Sequence, residues 1–516
     1  MSDLHERRTA MLDYLREHAR AHPQREAAVE GSVRLSYAEL AQQVERVAQL
    51  LSAKGLGAGQ VLAYIGPPGL QYYVSLLAAF HCGATWVGLN PKYRSDELAY
   101  VIGHARPAML LVASTTDARS RSELALALDK SGVNLSLVAA QDGPAGLTDA
   151  IAQAQALAPE RLSPQDDLIA LSAAVLVYTS GSTGRPKGAC LSASNLVENA
   201  WWLARRLGFE AGRFLINLPV NHAGCISDTT LVALLNGDCL VFMAEFDALQ
   251  AGQLVRDEAI STLGQVPTQY QMMHAAGVLT PAFLASIRHL GWGGSAMPES
   301  LIQHLAGFIP DLFNSYGLTE SSGTISVTAP GASIEQLAAS VGVPVFEGAV
   351  RIVDAQGQPV APGESGEVQL HGRHVFPGYL RNPQATQLAF ASDGWLRTGD
   401  TGTWCADGSL RLAGRLTEMY KSGGYNIYPR EIEAVLESHP GVAMAAVIGV
   451  PDPLWGEVGH AFVLANAQEV SAEDLVALCR ERLAAYKVPK KIDLRSDLPL
   501  LPIGKVDKKQ LRNLVA

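Results

Sequence analysis

The chain is poor in cysteine and in charge, and both shortages narrow what it can be. Its six cysteines (Cys82, Cys190, Cys225, Cys239, Cys405 and Cys479) lie far apart, with no CxxC pair and no histidines at zinc-ligand spacing. That excludes a disulfide-stapled scaffold and a zinc ribbon, and the thiols read as small apolar residues in a reducing compartment. Apolar runs are short: none reaches the ~18 residues of a membrane span. The first residues, with Asp3, His5, Glu6, Arg7 and Arg8, lack the apolar core of a signal peptide. A cytoplasmic location is therefore expected. Basic charge is also in deficit, 40 Lys and Arg against 50 Asp and Glu, a net charge of −10. Such a balance argues against general binding to nucleic acid or anionic membranes. Charged residues make up only 17% and hydrophobic ones 48% of 516 residues, a globular composition long enough for several large cores.

Against this background one stretch stands out. Tyr178-Thr179-Ser180-Gly181-Ser182-Thr183-Gly184-Arg185-Pro186-Lys187-Gly188 follows an uncharged apolar run over residues 173–177 that predicts a buried strand. Glycines allow backbone N–H groups to approach an anion, hydroxyls add donors, and a lysine adds a point charge. This is the composition of a phosphate cradle. The common P-loop pattern fails, because it would need glycine at Pro186 and Ser or Thr at Gly188. Taken alone, the stretch reads better as a Gly/Ser-rich surface turn, and the rest of the chain has to decide.

Elsewhere, periodicity predicts alternating helices and strands. Residues 1–30 read as a polar lead-in helix and turn. Ser36 and Glu39 form a capping box for a helix carrying Leu40, Val44, Val47, Leu50 and Leu51, closed at Gly55. Strands are expected at 61–65 and 108–112, a helix at 70–81, and loops with surface helices over 113–165. A helix is expected from Ser194-Asn195 through Trp201-Trp202, where the tryptophans read as packing residues. Short strands are expected near 290–295 and just before Asn314-Ser315-Tyr316-Gly317-Leu318-Thr319-Glu320. The pattern implies largely parallel sheets covered by helices, with a ligand crevice at the carboxyl ends of the strands. From residue 340, strands at 350–353, 366–370 and 410–412 split by Gly/Pro turns predict a small antiparallel unit. Residues 417–516 predict a compact α/β module, with a helix from Pro429, a strand at 445–450 and a helix capped by Ser471.

Taken in order, eight motifs resemble the adenylate-forming superfamily of acyl- and aryl-CoA synthetases, amino-acid adenylation domains and luciferases. They are residues 179–188, the turn at His222, Tyr316 to Glu320, Gly366-Glu367, Trp395 to Asp400, Leu412 to Arg415, Lys421-Ser422-Gly423-Gly424 through Glu433, and Pro502-Ile503-Gly504-Lys505. The likeness to AMP-dependent acyl/aryl-CoA synthetases covers nearly the whole chain. It implies an N-terminal AMP-binding and acyl-substrate domain over 1–416 and a mobile C-terminal α/β domain over 417–516, hinged near Thr417. Relatives commonly carry Asp or Lys at that hinge. The implied activity uses ATP, Mg²⁺ and coenzyme A: a carboxylate attacks the α-phosphate to give an acyl-adenylate and pyrophosphate, then a thiol displaces AMP.

The resemblance also implies roles. Thr179, Ser180, Gly181, Ser182, Thr183, Gly184 and Lys187 would wrap the β- and γ-phosphates, and Thr319 would hold the α-phosphate. Glu320, with Thr183, would hold Mg²⁺. Tyr316 and Gly317 would lie by the adenine, and Asp400 with Arg415 would take the ribose. Lys505 would bridge the substrate carboxylate and the α-phosphate, and would leave when the C-terminal module rotates. The Gly423-Gly424 segment would then admit a pantetheine arm, with Trp455 and Tyr486 against CoA and Lys487, Lys490 and Lys491 near its phosphates. The acyl pocket would be walled by His222, Ala223, Gly224, Gly293, Gly294, Ser295 and Ser315, with His222 also counted among the catalytic set.

Amino-acid-activating relatives place an aspartate where this chain has Ala223, which would leave a substrate ammonium unpaired. The small wall residues favour a benzoate-like or medium-chain acid. An acyl-AMP ligase that loads a carrier protein's phosphopantetheine is the alternative within the superfamily; a homodimer is an open assembly. A P-loop ATPase or kinase fails on the loop pattern, and a serine hydrolase fails because no GxSxG occurs.

Overall fold

A computed structural model describes residues 2–142, 146–154, 172–179, 185–208, 210–422, 425–466, 470–501 and 505–515. Among these, four sheets are formed. In the largest, nine-stranded, the parallel strands Asp311–Leu318, His289–Gly293, Thr262–Gln265, Arg213–Ile216, Cys239–Phe242 and Glu26–Glu30 lie side by side. A second sheet of seven strands centres on Ala173–Thr179, Thr85–Leu89 and Val61–Ile65. Both carry antiparallel edges, so they are mixed rather than purely parallel.

These strands are nearly continuous runs of buried apolar side chains, as expected where both faces are covered. The largest core joins the two sheets: Tyr64, Trp86, Phe214, Ile216 and Phe313 pack with the helices Tyr37–Ala53, Leu70–Cys82 and Ala193–Arg206. The Ser36–Glu39 capping box is present in full. The helix expected from Ser194 begins at Ala193, with Ser192 as its cap, and Trp201 and Trp202 pack edge to face 5.0 Å apart.

Some expectations need correction. The lead-in helix Ser2–Ala21 is not merely polar, because Met11, Leu12 and Leu15 are buried in the main core. Within 113–165 the segment Ser136–Ala139 is an edge strand rather than loop. The segment Leu396–Trp404 is a full central strand of the four-stranded antiparallel sheet, alongside the anticipated Val350–Val353, Ser365–Leu370 and Leu410–Arg415. The Tyr316 motif does not follow its strand; Asp311–Leu318 runs through Tyr316 and Gly317.

From Tyr420 onward the chain builds a separate five-stranded sheet on the long hairpin of Val442–Asp452 and Gly456–Ala465. The helices Pro429–Glu437 and Ala472–Arg482 pack on it, the second with a Ser471–Asp474 capping box.

Candidate functional site

The carboxyl ends of the neighbouring strands Thr262–Gln265 and His289–Gly293 meet Lys505, and backbone conformation there is special. After His289–Gly293 comes Gly294 at φ +84°, a left-handed geometry in which a Cβ would also stand 3.0 Å from Lys505 Cε. Lys505, from the far end of the chain, is thus inserted against the strand end at Gly293-Gly294. Burial lowers its pKa, and the neighbouring Arg415 lowers it further. Gly293 lies against Ser315, whose hydroxyl donates to the Trp292 carbonyl at 3.1 Å. Ser295 is exposed in the bend that follows.

On the next strand, the buried Tyr316 hydroxyl donates to Asp400 Oδ2 at 2.6 Å, and Arg415 Nε meets Asp400 Oδ1 at 3.0 Å. Adjacent antiparallel strands place Asp400 directly opposite Arg415. The Asp400 backbone N–H is itself fixed by the Thr398 hydroxyl at 3.0 Å. Gly317 lets its strand approach the carbonyl of Gly323. The turn Thr319–Ser321 follows, closed by Ser322 at φ 62°, a sparsely populated backbone for a residue with a side chain. Glu320, half-buried, accepts a hydrogen bond at Oε1 from the Tyr379 hydroxyl at 2.7 Å. The Tyr379 ring in turn carries Lys187 Nζ 4.8 Å from its centroid. Burial, with Glu320 adding, raises the Tyr379 pKa, so its hydroxyl stays a donor.

Of the glycine-rich loop, Thr179 ends one strand and Lys187 begins its antiparallel partner. Ser180, Gly181, Ser182, Thr183 and Gly184 lie outside the described residues. The returning end is held by Tyr100, whose hydroxyl donates to the Pro186 carbonyl at 3.0 Å.

The turn at His222 passes directly into a π-helical segment, Gly224–Leu231. Wide turns of this kind are rare and occur frequently at functional sites. Burial pushes the His222 imidazole down to about 4, with Lys505 contributing, so the ring is neutral at physiological pH. Ala223 is buried and Gly224 half-buried. Six residues beyond His222, Asp228 Oδ1 accepts the Thr324 backbone N–H at 3.0 Å.

The thiol-side residues stand elsewhere. Trp455 and Tyr486 are largely exposed, Tyr486 stacks on Tyr425 at 4.3 Å, and Lys490 Nζ lies 5.9 Å from the Trp455 ring centre. Lys487 is paired with Glu431 and Lys491 with Asp493. Gly423 and Gly424 lie outside the described residues.

The motif reading missed two residues: Tyr379, signalled only as an aromatic after Pro377-Gly378, and Asp228. The latter is the one charged residue in the apolar stretch 223–235, which was the available signal.

The AMP-binding enzyme family matches residues 15–380, and the AMP-binding enzyme C-terminal domain matches 431–505. This chain belongs to the AMP-binding enzyme family. It is an AMP-forming acyl-CoA synthetase of the adenylate-forming superfamily. Over 496 residues it is 36% identical to a feruloyl-CoA synthase of Amycolatopsis sp, covering 96% of both chains. ATP-bound MatB from Rhodopseudomonas palustris superposes with a TM-score of 0.83 at 28% identity, covering 97% of this chain and 98% of that one. The o-succinylbenzoate CoA synthetase of Bacillus subtilis, in complex with its acyl-adenylate intermediate, gives 0.80 at 28% identity, covering 97% of each chain.

Proposed function

We propose that this enzyme activates an aromatic carboxylic acid, with a medium-chain acid as the other candidate, and that the described geometry is its adenylate-forming arrangement. The observation that carries this is Lys505 set against Gly294 and within electrostatic reach of His222, Asp400 and Arg415. A cation there lies where the substrate carboxylate must meet the α-phosphate, and it would offset the charge that develops as the P–O bond forms. Asp400, already oriented by Tyr316 and Arg415, would accept from the ribose hydroxyls, and Tyr316 and Gly317 would flank the adenine. Thr319 would hold the α-phosphate. Thr179, Lys187 and the intervening loop would hold the β- and γ-phosphates that depart as pyrophosphate.

Glu320 suits a hard cation. One oxygen takes the Tyr379 hydroxyl, and Oε2 carries no hydrogen bond among the described residues. Mg²⁺ is usually bound through one or two carboxylates plus substrate phosphates, so Glu320, with Thr183, would hold it, and it would neutralise phosphate charge when bound. The domain boundary near Thr417 and the route past Gly423-Gly424 for CoA follow from the same reading. There Lys505 withdraws and a thiol attacks the acyl-adenylate.

The test is ATP–pyrophosphate exchange across a panel of aromatic and aliphatic acids, followed by thioester formation with CoA and, separately, with a phosphopantetheinylated carrier. Exchange confined to aromatic acids, with CoA as acceptor, is the expected result. Carrier loading without CoA turnover would move the enzyme to the alternative acceptor, and exchange only with amino acids would refute the pocket reading.

A further inference from the structure

The π-helical segment Gly224–Leu231 places a carboxylate beside Gly224, and the adenylation chemistry does not use it. Asp228 is flanked by Ser227 and Thr229, with Cys225, Ile226 and Leu231 buried around it. Its Oδ1 is committed to the Thr324 N–H. Gly323, at φ +126°, brings its backbone so close that a Cβ would lie 2.3 Å from that oxygen and 2.8 Å from Asn199 Oδ1. Oδ2 is turned toward Gly224, 4.0 Å from where a Cβ would stand, and the Thr324 hydroxyl also bears on the carboxylate. Asp228 keeps some solvent exposure while its neighbours Ser227 and Thr229 are enclosed. Gly264 forms an opposite small wall, where a Cβ would meet only Phe214 and Thr229 at 3.9–4.0 Å.

The order along this wall is informative. Lys505 marks the end where the carboxylate reacts, and His222 stands next to it. Asp228 lies six residues further along the chain, inside the π-helical segment. Resting on the proposed acid-activating role, we propose that Asp228 is a specificity residue that receives a hydroxyl group on the far end of the aromatic acid.

A hydroxyl fits this place better than an ammonium. The oxygen facing Gly224 can accept a hydroxyl's single donor, whereas an ammonium brings three. Burial raises the Asp228 carboxyl to about 7, so near neutrality both protonation states are present, and a hydroxyl can donate to one and accept from the other. A buried oxygen built to be bonded also discriminates: an acid without the hydroxyl leaves it unpaired.

The experiment compares exchange kinetics for ring-hydroxylated aromatic acids, their deoxy analogues and their ring-aminomethyl analogues, in wild type, Asp228→Asn and Asp228→Ala. Wild type should favour the hydroxylated acid at least about tenfold in kcat/KM, chiefly through KM. That preference should shrink toward unity in Asp228→Ala and be intermediate in Asp228→Asn, which keeps an acceptor for Thr324. Exchange without any hydroxyl preference in wild type overturns the proposal and leaves the ligase reading standing. So does a loss in Asp228→Ala that is equal for hydroxylated and deoxy acids, since a purely structural role would give it. A preference for the aminomethyl analogue that Asp228→Ala removes also overturns it, in favour of a cation. Absence of exchange with every acid would sink the ligase reading and this inference together.

Discussion

Single side chains in this crevice hold unusual protonation states, and each has a measurable consequence. Burial and Arg415 lower the Lys505 pKa, so its charge is lost at a lower pH than an ordinary lysine's. The adenylation kcat/KM, which reports the free enzyme, should fall as pH rises through that depressed value. Lys505→Arg should retain weaker activity without this alkaline fall, and a wild-type profile flat to pH 10 would contradict the assignment. Lys505→Ala should cut exchange by about 10²-fold or more, while thioester formation from pre-made acyl-adenylate largely survives. Tyr379→Phe removes the donor to Glu320 but keeps the ring beneath Lys187. Exchange should drop roughly tenfold, with a raised Mg²⁺ requirement read from a metal titration. Asp228 has the opposite sign to a salt-bridged acid. Its folded pKa, about 7, lies above the usual carboxylate value, so the folded state binds the extra proton between about pH 4 and 7. Stability is therefore lost as pH rises through that window. Asp228→Asn should raise the melting temperature relative to wild type at pH 8 and lose that advantage near pH 4.

At the scale of elements, the site depends on where strands stop. The run at His289–Gly293 was legible from its apolar pattern, and its glycine ending suggested a close approach. What approaches, Lys505 from more than 200 residues away, was not legible from local pattern. Replacing Gly294 by alanine adds a Cβ 3.0 Å from Lys505 Cε in a left-handed backbone. It should lower exchange at least tenfold while costing about 1 kcal/mol of stability, read by calorimetry beside kinetics. The π-helical segment was invisible for a different reason. Its residues suit an α-helix as well, and the extra residue per turn is set by packing, with Asp228 held to Thr324 and Ser227 to Asn199 at 3.3 Å. The strand Leu396–Trp404 escaped notice because its two glycines and its threonines read as turn residues. Cross-strand pairing with Ser365–Leu370 and Leu410–Arg415 overrides that tendency.

At the scale of the whole molecule, the arrangement is held by contacts between the large domain and the C-terminal module. The Gln271 amide donates to the Ala443 carbonyl across that boundary. Cysteines at these two positions, joined by a short bis-methanethiosulfonate cross-linker in a background lacking the partly exposed Cys82 and Cys405, should hold the described orientation. Pyrophosphate exchange should then persist while CoA thioester formation falls at least tenfold and recovers when the link is cleaved. Equal retention of both half-reactions would refute domain rotation.

By itself the sequence determined the reaction class and most of the element order. Strand and helix periodicities, caps and eight ordered motifs are local properties, so they can be read without coordinates. Tertiary structure decided which of those motif residues meet. The Tyr316–Asp400–Arg415 cluster, the Tyr379–Glu320 bond, Lys505 at Gly294 and the lone carboxylate of Asp228 join segments tens to hundreds of residues apart. Such contacts follow from strand order, sheet register and domain placement, and these are settled by packing the whole chain rather than by any stretch of it.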